Sequence, residues 1–258
     1  MCAFFKSAKP KPSERESAQS PAPDLKEAQL SAAFYGQRRG GDLHDYIRVS
    51  PTRVLFALLD VAGRFDQNRP IVSAAQDLFR LCGPQLLAKD DVNEADAMIE
   101  ICIQLNRSIL KTAGRVCSCP TFAGCYNESL GTVCYVNAGH IPGLIRDQTG
   151  VSELGATGFP LGLFSHSTPD ASIVAIEPGG ALLLVSRGVV EAKRKAREFG
   201  LSQVKDLLQQ TSMQTAHETC SMVLGKVQEF LANKPTQNDI TAIALARSGA
   251  GKTLAAAG

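Results

Sequence analysis

The side chains best suited to chemistry in this chain are eight cysteines, four histidines and a few aspartates at the ends of apolar or glycine-bearing stretches. Cys117-Ser118-Cys119 and Cys125 could suggest zinc, but zinc patterns use C-x2-C pairs or histidine partners, and neither is present. Several of the other cysteines lie in apolar stretches, where a free thiol behaves as a small hydrophobe. His140 offers an imidazole for proton transfer. His44 sits between Asp42 and Asp45 and reads as an exposed strand residue, while His166 and His217 have no partners in sequence. Ala246–Thr253 nearly spells a phosphate-binding loop. Its first glycine is missing, and only five residues follow Thr253, too few for the helix whose N-terminus would face a phosphate. The basic run Lys193-Arg194-Lys195 with Arg197 reads as a solvated turn or helix face.

These residues need a scaffold, and 258 residues with 44% hydrophobic content can build one large domain. A net charge of +2 points to neither nucleic acid nor an acidic surface. No stretch approaches the roughly 18–20 continuous apolar residues of a membrane span. The apolar start Met1–Phe5 is too short for a secretory signal. A reduced, cytoplasmic protein is expected, with neither nucleic acid nor membrane as a partner. Residues 6–24, rich in Lys, Pro, Ser, Glu and Gln, cannot bury a core. We therefore expect a flexible tail over 1–27, a domain over 28–247 and a second tail over 248–258.

Periodicity predicts a strand over Ala28–Tyr35 and a hairpin of Asp45–Val49 with Arg53–Val61 around Ser50-Pro51-Thr52. A helix starts near Pro70 and runs to Leu81, where Gly83-Pro84 should break or kink it. A second helix presents Met98, Cys102, Leu105 and Ile109 on one face, with Asn93 as its N-cap. Strands follow over Val116–Cys125, Leu130–Asn137, Gly143–Arg146, Ser172–Ile176 and Ala181–Ser186. Helices near Leu201–Gln210 and Ala216–Ala232 and a strand over Ile240–Ala246 close the chain. Clustered strands with segregated helix pairs indicate an α+β fold.

Several stretches resemble, in order, the bacterial SpoIIE/RsbU branch of the PPM-type (protein phosphatase 2C-like) metal-dependent phosphatases. Gly40-Gly41-Asp42-Leu43-His44-Asp45 is similar to the family's G-G-D-x-x-D, and Leu59-Asp60-Val61-Ala62-Gly63 to its D-V-S-G loop. Asn137-Ala138-Gly139-His140-Ile141-Pro142 is similar to N-A-G-H-x-P, and Pro160-Leu161-Gly162-Leu163 to P-L-G-[LI]. Glu177–Ala192 tracks the segment ending in [ST]-D-G-V-x-E-A, and Asn238-Asp239-Ile240-Thr241 the closing D-D-[ILM]-T. The resemblance covers roughly residues 28–247. It implies a four-layer α-β-β-α sandwich of two mostly antiparallel sheets flanked by helix pairs. It also implies hydrolysis of phosphoserine or phosphothreonine on a protein, with an anti-sigma-factor antagonist as the usual substrate of the branch.

The implied cofactor is a pair of Mn²⁺ or Mg²⁺ ions, which lower the pKa of a shared hydroxide and clamp the phosphoryl group. Such ions take oxygen ligands. By the resemblance, Asp60 is the bridging and catalytic carboxylate, Val61 supplies a backbone carbonyl, and Asp42 contacts metal, with Asp45 a weaker candidate. Gly41, Gly63 and His140 belong to structural signatures. Two positions depart from the pattern. Arg187 stands where the family has a metal-ligating Asp, and Asn238 replaces the first acid of D-D-[ILM]-T. Asn238 supplies no charge, and Asp239 would substitute only if the strand end shifted. Arg187 either pairs with Asp60 in place of a cation, the reading its aligned position favours, or points outward to grip a substrate phosphate. Arg64, in a loop bulkier and more charged than the family's, could help attract a phosphoprotein.

Two functions follow. One is a metal-dependent phosphoserine/phosphothreonine phosphatase with weakened metal binding. The other is a pseudophosphatase that holds a phosphorylated protein. The sensor domain usual in this branch is not expected within the chain, so control would come from an unidentified regulator or a dimer partner, or be absent.

Overall fold

The computed structural model describes residues 22–36, 41–61, 65–210, 215–232 and 238–249. The chain opens with β1 (Ala28–Tyr35), β2 (Asp42–Arg48) and β3 (Arg53–Asp60), then α1 (Phe65–Leu87) and α2 (Glu94–Ala113). Next come β4 (Thr121–Asn127), β5 (Thr132–Ala138), β6 (Gly143–Arg146), β7 (Val151–Leu154), β8 (Ser172–Ala175) and β9 (Ala181–Val185). The short helix α3 (Arg187–Val190) and the ribbon β10 (Lys193–Arg194) and β11 (Arg197–Glu198) precede α4 (Gly200–Gln210), α5 (Ala216–Phe230) and β12 (Ile240–Arg247). Two five-stranded sheets form, in the orders β1-β12-β9-β6-β7 and β2-β3-β4-β5-β8, with every pairing antiparallel.

β3 shows why the layers stack. All eight of its residues are buried, and its side chains alternate with the period of two that a pleated strand imposes. Val54, Phe56 and Leu58 enter the core between the sheets, while Leu55, Ala57 and Leu59 face α1 and α2. On the other sheet, Ile243 and Leu245 face inward and Ile240, Ala242 and Ala244 face α4 and α5. Three apolar cores thus separate four layers, the α-β-β-α sandwich implied by the resemblance. Among the described residues no helix is long and apolar enough to cross a membrane.

The seven described cysteines are free and buried, but unevenly placed. Cys82, Cys102, Cys117, Cys119, Cys125 and Cys134 lie in the core beneath α1 and α2, Cys220 alone in the core beneath α5, and none in the middle core.

Several boundaries differ from expectation for local reasons. β2 starts at Asp42, three residues early, because Asp42 pairs directly with Asp60 across the hairpin. Gly83-Pro84 does not end α1, which runs on to Leu87. Gly83 is a close-approach residue: a Cβ there would sit 2.7 Å from a Leu55 methyl. The strand expected from Val116 begins at Thr121, because Cys117 and Cys119 bond instead to Gly162 and Leu161. β5 starts at Thr132, after a turn in which the Asn127 carboxamide accepts from Ser129 and Leu130 and Gly131 adopts φ +66°. The turn Glu177–Gly180 carries the chain from one sheet to the other, since β8 and β9 belong to different sheets. The run at Lys193 is the exposed ribbon β10–β11. Ahead of β1, inside the span expected to be a tail, Leu25 is buried in the middle core.

Asn93 caps α2, its side chain accepting from the backbone of Ala95 and Asp96. Asn93→Ala is expected to destabilise the domain by about 1 kcal/mol and Asn93→Ser by much less. Urea unfolding checks this, and equal losses for both variants would count against the cap.

Candidate functional site

Strand parity assembles the site. Asp60 continues the inward-facing series Val54, Phe56, Leu58, and Asp42 lies opposite it on β2. From the other sheet, Ser186 continues the inward series Leu182, Leu184 at the end of β9, and Thr241 precedes Ile243 and Leu245 on β12. The Thr241 hydroxyl donates to Asp42 Oδ2 at 3.1 Å, which ties the two sheets together at this corner. Thr241 N–H donates to Ser186 Oγ at 3.0 Å, and Ser186 N–H to the Thr241 carbonyl at 2.9 Å.

Two carboxylates directly opposite on neighbouring strands repel. Burial first, and the charge of Asp60 second, push the Asp42 carboxyl up to about 7, against hydrogen bonds from Ser186 and Thr241. Burial also raises Asp60, while the Arg187 charge opposes the rise. Arg187 Nε lies 3.0 Å from Asp60 Oδ2, with the Arg187 side chain 46% exposed. Glu191 Oε2, one helical turn on, is 3.9 Å from the same nitrogen. Arg187 therefore takes the orientation in which a guanidinium stands beside Asp60.

The structure separates other candidates. Asp45 faces the opposite side of β2, where Arg80 Nε donates to it at 2.7 Å, so it is a strut between β2 and α1. Asp239 is buried without any shift of the strand end, since positions 239 and 241 share a face, and its charge reaches Asp42. Asn238, the aligned residue, is the exposed one of the two. Gly63 and Arg64 lie outside the described residues.

His140 is enclosed. Its N–H is held by the Asn137 side chain at 2.8 Å and Nδ1 lies 3.0 Å from the Ile141 carbonyl, so Nδ1 carries the proton. Nε2 is buried without a hydrogen-bond partner among the described residues. Burial, with a smaller effect of Arg187, pushes the ring down to about 4, which leaves it neutral and a poor proton donor near neutral pH. Asn137 also donates to the Leu154 carbonyl, and Gly139 packs so closely on Pro160 that a Cβ would come within 2.4 Å. This loop joins β5 to the segment around Pro160.

Residues that sequence reasoning passed over complete the corner. Ser186 and Thr241 lie inside motifs already quoted, so their hydroxyls were there to be noticed. Asn68 carries no such signal. Its Nδ2 donates to the Val61 carbonyl at 3.0 Å. Val61 N–H in turn bonds Gly41 O at 3.2 Å, and a Cβ on Gly41 would sit 2.5 Å from the Val61 oxygen.

The donor set departs from a two-ion centre at several positions, although Asp42, Asp60 and Asp239 remain close enough to interact. Asp60 is ion-paired, the Val61 carbonyl is engaged, Asn238 is neutral and exposed, and a guanidinium takes the place of one carboxylate. Among the described residues no group of three or more His, Cys, Asp or Glu is arranged to hold a metal ion.

A family model described as Stage II sporulation protein E (SpoIIE) matches residues 50–248. Protein IcfG of Synechocystis is 23% identical over 197 residues, which cover 69% of this chain and 31% of that protein. Phosphoserine phosphatase RsbP of Bacillus subtilis is 28% identical over 166 residues, covering 62% of this chain and 39% of that one. The chain thus spans about a third of the curated relatives it matches, 31% and 39% of their lengths. A solved structure of the RsbU and RsbW domains of a Mycobacterium tuberculosis protein superposes with a TM-score of 0.72 at 20% identity, covering 88% of this chain and 63% of that one. At that identity the likeness shows the fold.

Proposed function

The chain belongs to the SpoIIE family, the SpoIIE/RsbU branch of the PPM-type phosphatase domains, and from that premise we propose that it recognises a signalling protein carrying phosphoserine or phosphothreonine without the fast metal-driven turnover of the family. An anti-sigma-factor antagonist is the partner class the branch suggests. The observation that carries the reading is the guanidinium of Arg187, set 3.0 Å from Asp60 and half exposed. Asp60 fixes one edge of a planar donor fork, and the exposed remainder suits a phosphate. The same contact disfavours ion binding, because a fixed positive charge repels a divalent cation from Asp60.

A second reading, slow hydrolysis with weakened metal binding, draws on one observation. Asp42 and Asp60 remain opposed at the end of the hairpin, and the raised Asp42 carboxyl marks a repulsion that a cation would relieve.

A degenerate phosphoserine/phosphothreonine peptide library and its unphosphorylated counterpart separate the readings. Binding of phosphorylated peptides is expected, falling at least about tenfold in Arg187→Ala, with no phosphate release at millimolar Mn²⁺. Phosphate release abolished by Asp60→Ala would establish the second reading. Equal binding of both libraries would overturn the first.

A further inference from the structure

We infer that two internal donors, Arg187 on Asp60 and Asn68 on the Val61 carbonyl, latch the oxygen atoms at the end of β3 that a divalent ion would need, and that Asn68 is the harder of the two to displace. The inference rests on the reading that these oxygens stand where the family holds its ion. A hard cation needs both an oxygen lone pair and room beside it; each of these oxygens has one lone pair engaged, and the donor group fills the adjoining space. The Nε–Oδ2 and Nδ2–O distances are both 3.0 Å.

The two latches differ in how they open. The Arg187 side chain is 46% exposed, so it has open solvent to swing into, against the loss of its pairing with the 8% exposed Asp60. Asn68 is 1% exposed on α1. Its amide cannot turn over, because that would set its carbonyl oxygen against the Val61 oxygen, two acceptors with no proton between them. The Val61 carbonyl cannot turn away either. Val61 N–H is bonded to Gly41, Asp60 N–H is bonded to the Pro120 carbonyl at 2.9 Å, and Gly41 closes over the contact. Asn68 Oδ1 is left buried with no hydrogen-bond partner among the described residues. The carboxamide is therefore held by its one bond to Val61. Restoring a carboxylate at position 187 frees Asp60 but leaves the backbone ligand closed.

Calorimetric titration with Mn²⁺ alone, paired with Mn²⁺-dependent thermal shift, tests this on the full chain. The proteins are wild type, Arg187→Asp, Arg187→Asp with Asn68→Ser, and Arg187→Asp with Asn68→Leu. Asn68→Leu keeps the approximate shape and removes the donor without adding a ligand, so it remains informative if the serine variant folds poorly. No heat at millimolar Mn²⁺ is expected for wild type. Each double variant should bind Mn²⁺ at least about tenfold more tightly than Arg187→Asp and gain thermal stability with it. Equal affinity of Arg187→Asp and the double variants would overturn the role of Asn68, and micromolar binding by wild type would overturn both latches. Phosphopeptide binding is measured separately, so failure of the functional reading leaves the metal result interpretable.

Discussion

Asp42→Asn is expected to leave the domain about as stable as wild type near pH 3, to stabilise it by about 1.5 kcal/mol near pH 5, and to stabilise it by up to about 4 kcal/mol near pH 8. The Asp42 carboxyl rises from 3.8 to about 7 on folding, so the folded protein holds this proton more tightly than the unfolded chain. Between those two values the native state binds more protons, and the slope of stability with pH is negative. The contribution is fully present below the unfolded value and lost as pH rises through the folded one. Asparagine mimics the protonated acid and still accepts from Thr241, so it removes the loss without removing the bond between the sheets. Urea unfolding of both proteins between about pH 3 and pH 8 cancels the groups remote from Asp42 and leaves its titration together with its coupling to Asp60 and Asp239. Parallel curves would mean that Asp42 is solvated or compensated. The same cost at neutral pH is the energetic signature of a site built around clustered acids, and Arg187 offsets it at Asp60 rather than at Asp42.

Gly188→Ala should be the most damaging single methyl addition at this corner. Its Cβ would lie 2.0 Å from the Asp239 carbonyl oxygen and 3.3 Å from the Asn238 Cβ. The obstacle is backbone, so no rotamer relieves it, and the start of β12 must move away from α3. That movement breaks the exchange of hydrogen bonds between Ser186 and Thr241 and carries Thr241 off Asp42. A loss of about 3 kcal/mol is expected, at the upper end for overpacking. Phosphopeptide binding should weaken with it, since Arg187 adjoins the shifted residue. Gly225→Ala on α5 is the control: nothing lies within 4 Å of a Cβ there, and alanine in a helix interior should stabilise by about 0.5–1 kcal/mol. Thermal melts decide it, and a Gly188→Ala protein as stable as wild type would show that β12 yields freely.

The fold was legible wherever alternation or capping was strong. β1 and β6 have the bounds that periodicity predicts, and Asn93 caps α2 through its own side chain. Other elements left weaker traces. β7 is a short edge strand with two exposed residues in the middle, too little contrast for a period of two to show. Gly83-Pro84 was misleading because the glycine answers to Leu55 on a neighbouring layer, a demand invisible along the chain. The acids of the site could be located from short motifs, since parity carries Asp60 and Asp42 to the inner face once the strands are placed. That Asp239 rather than Asn238 is buried needed the same parity argument, applied to β12. Asn68 could not be found this way: its role arises from α1 approaching the end of β3, and no spacing rule connects positions 61 and 68.

The uneven placement of the cysteines makes the two outer layers chemically distinguishable. Burial pushes Cys102 and Cys220 each up to about 12 and Cys134 to about 11, so these thiols are almost wholly protonated, and unreactive, in the closed protein. An alkylating reagent therefore records opening events rather than intrinsic nucleophilicity. Labelling at Cys220 reports separation of α5 from its sheet, and labelling at the six others reports separation of α1 and α2 from theirs. The middle core, which has no described thiol, stays silent. Mass-resolved labelling would thus time the lifting of each helical layer independently, from the native protein and without an added probe.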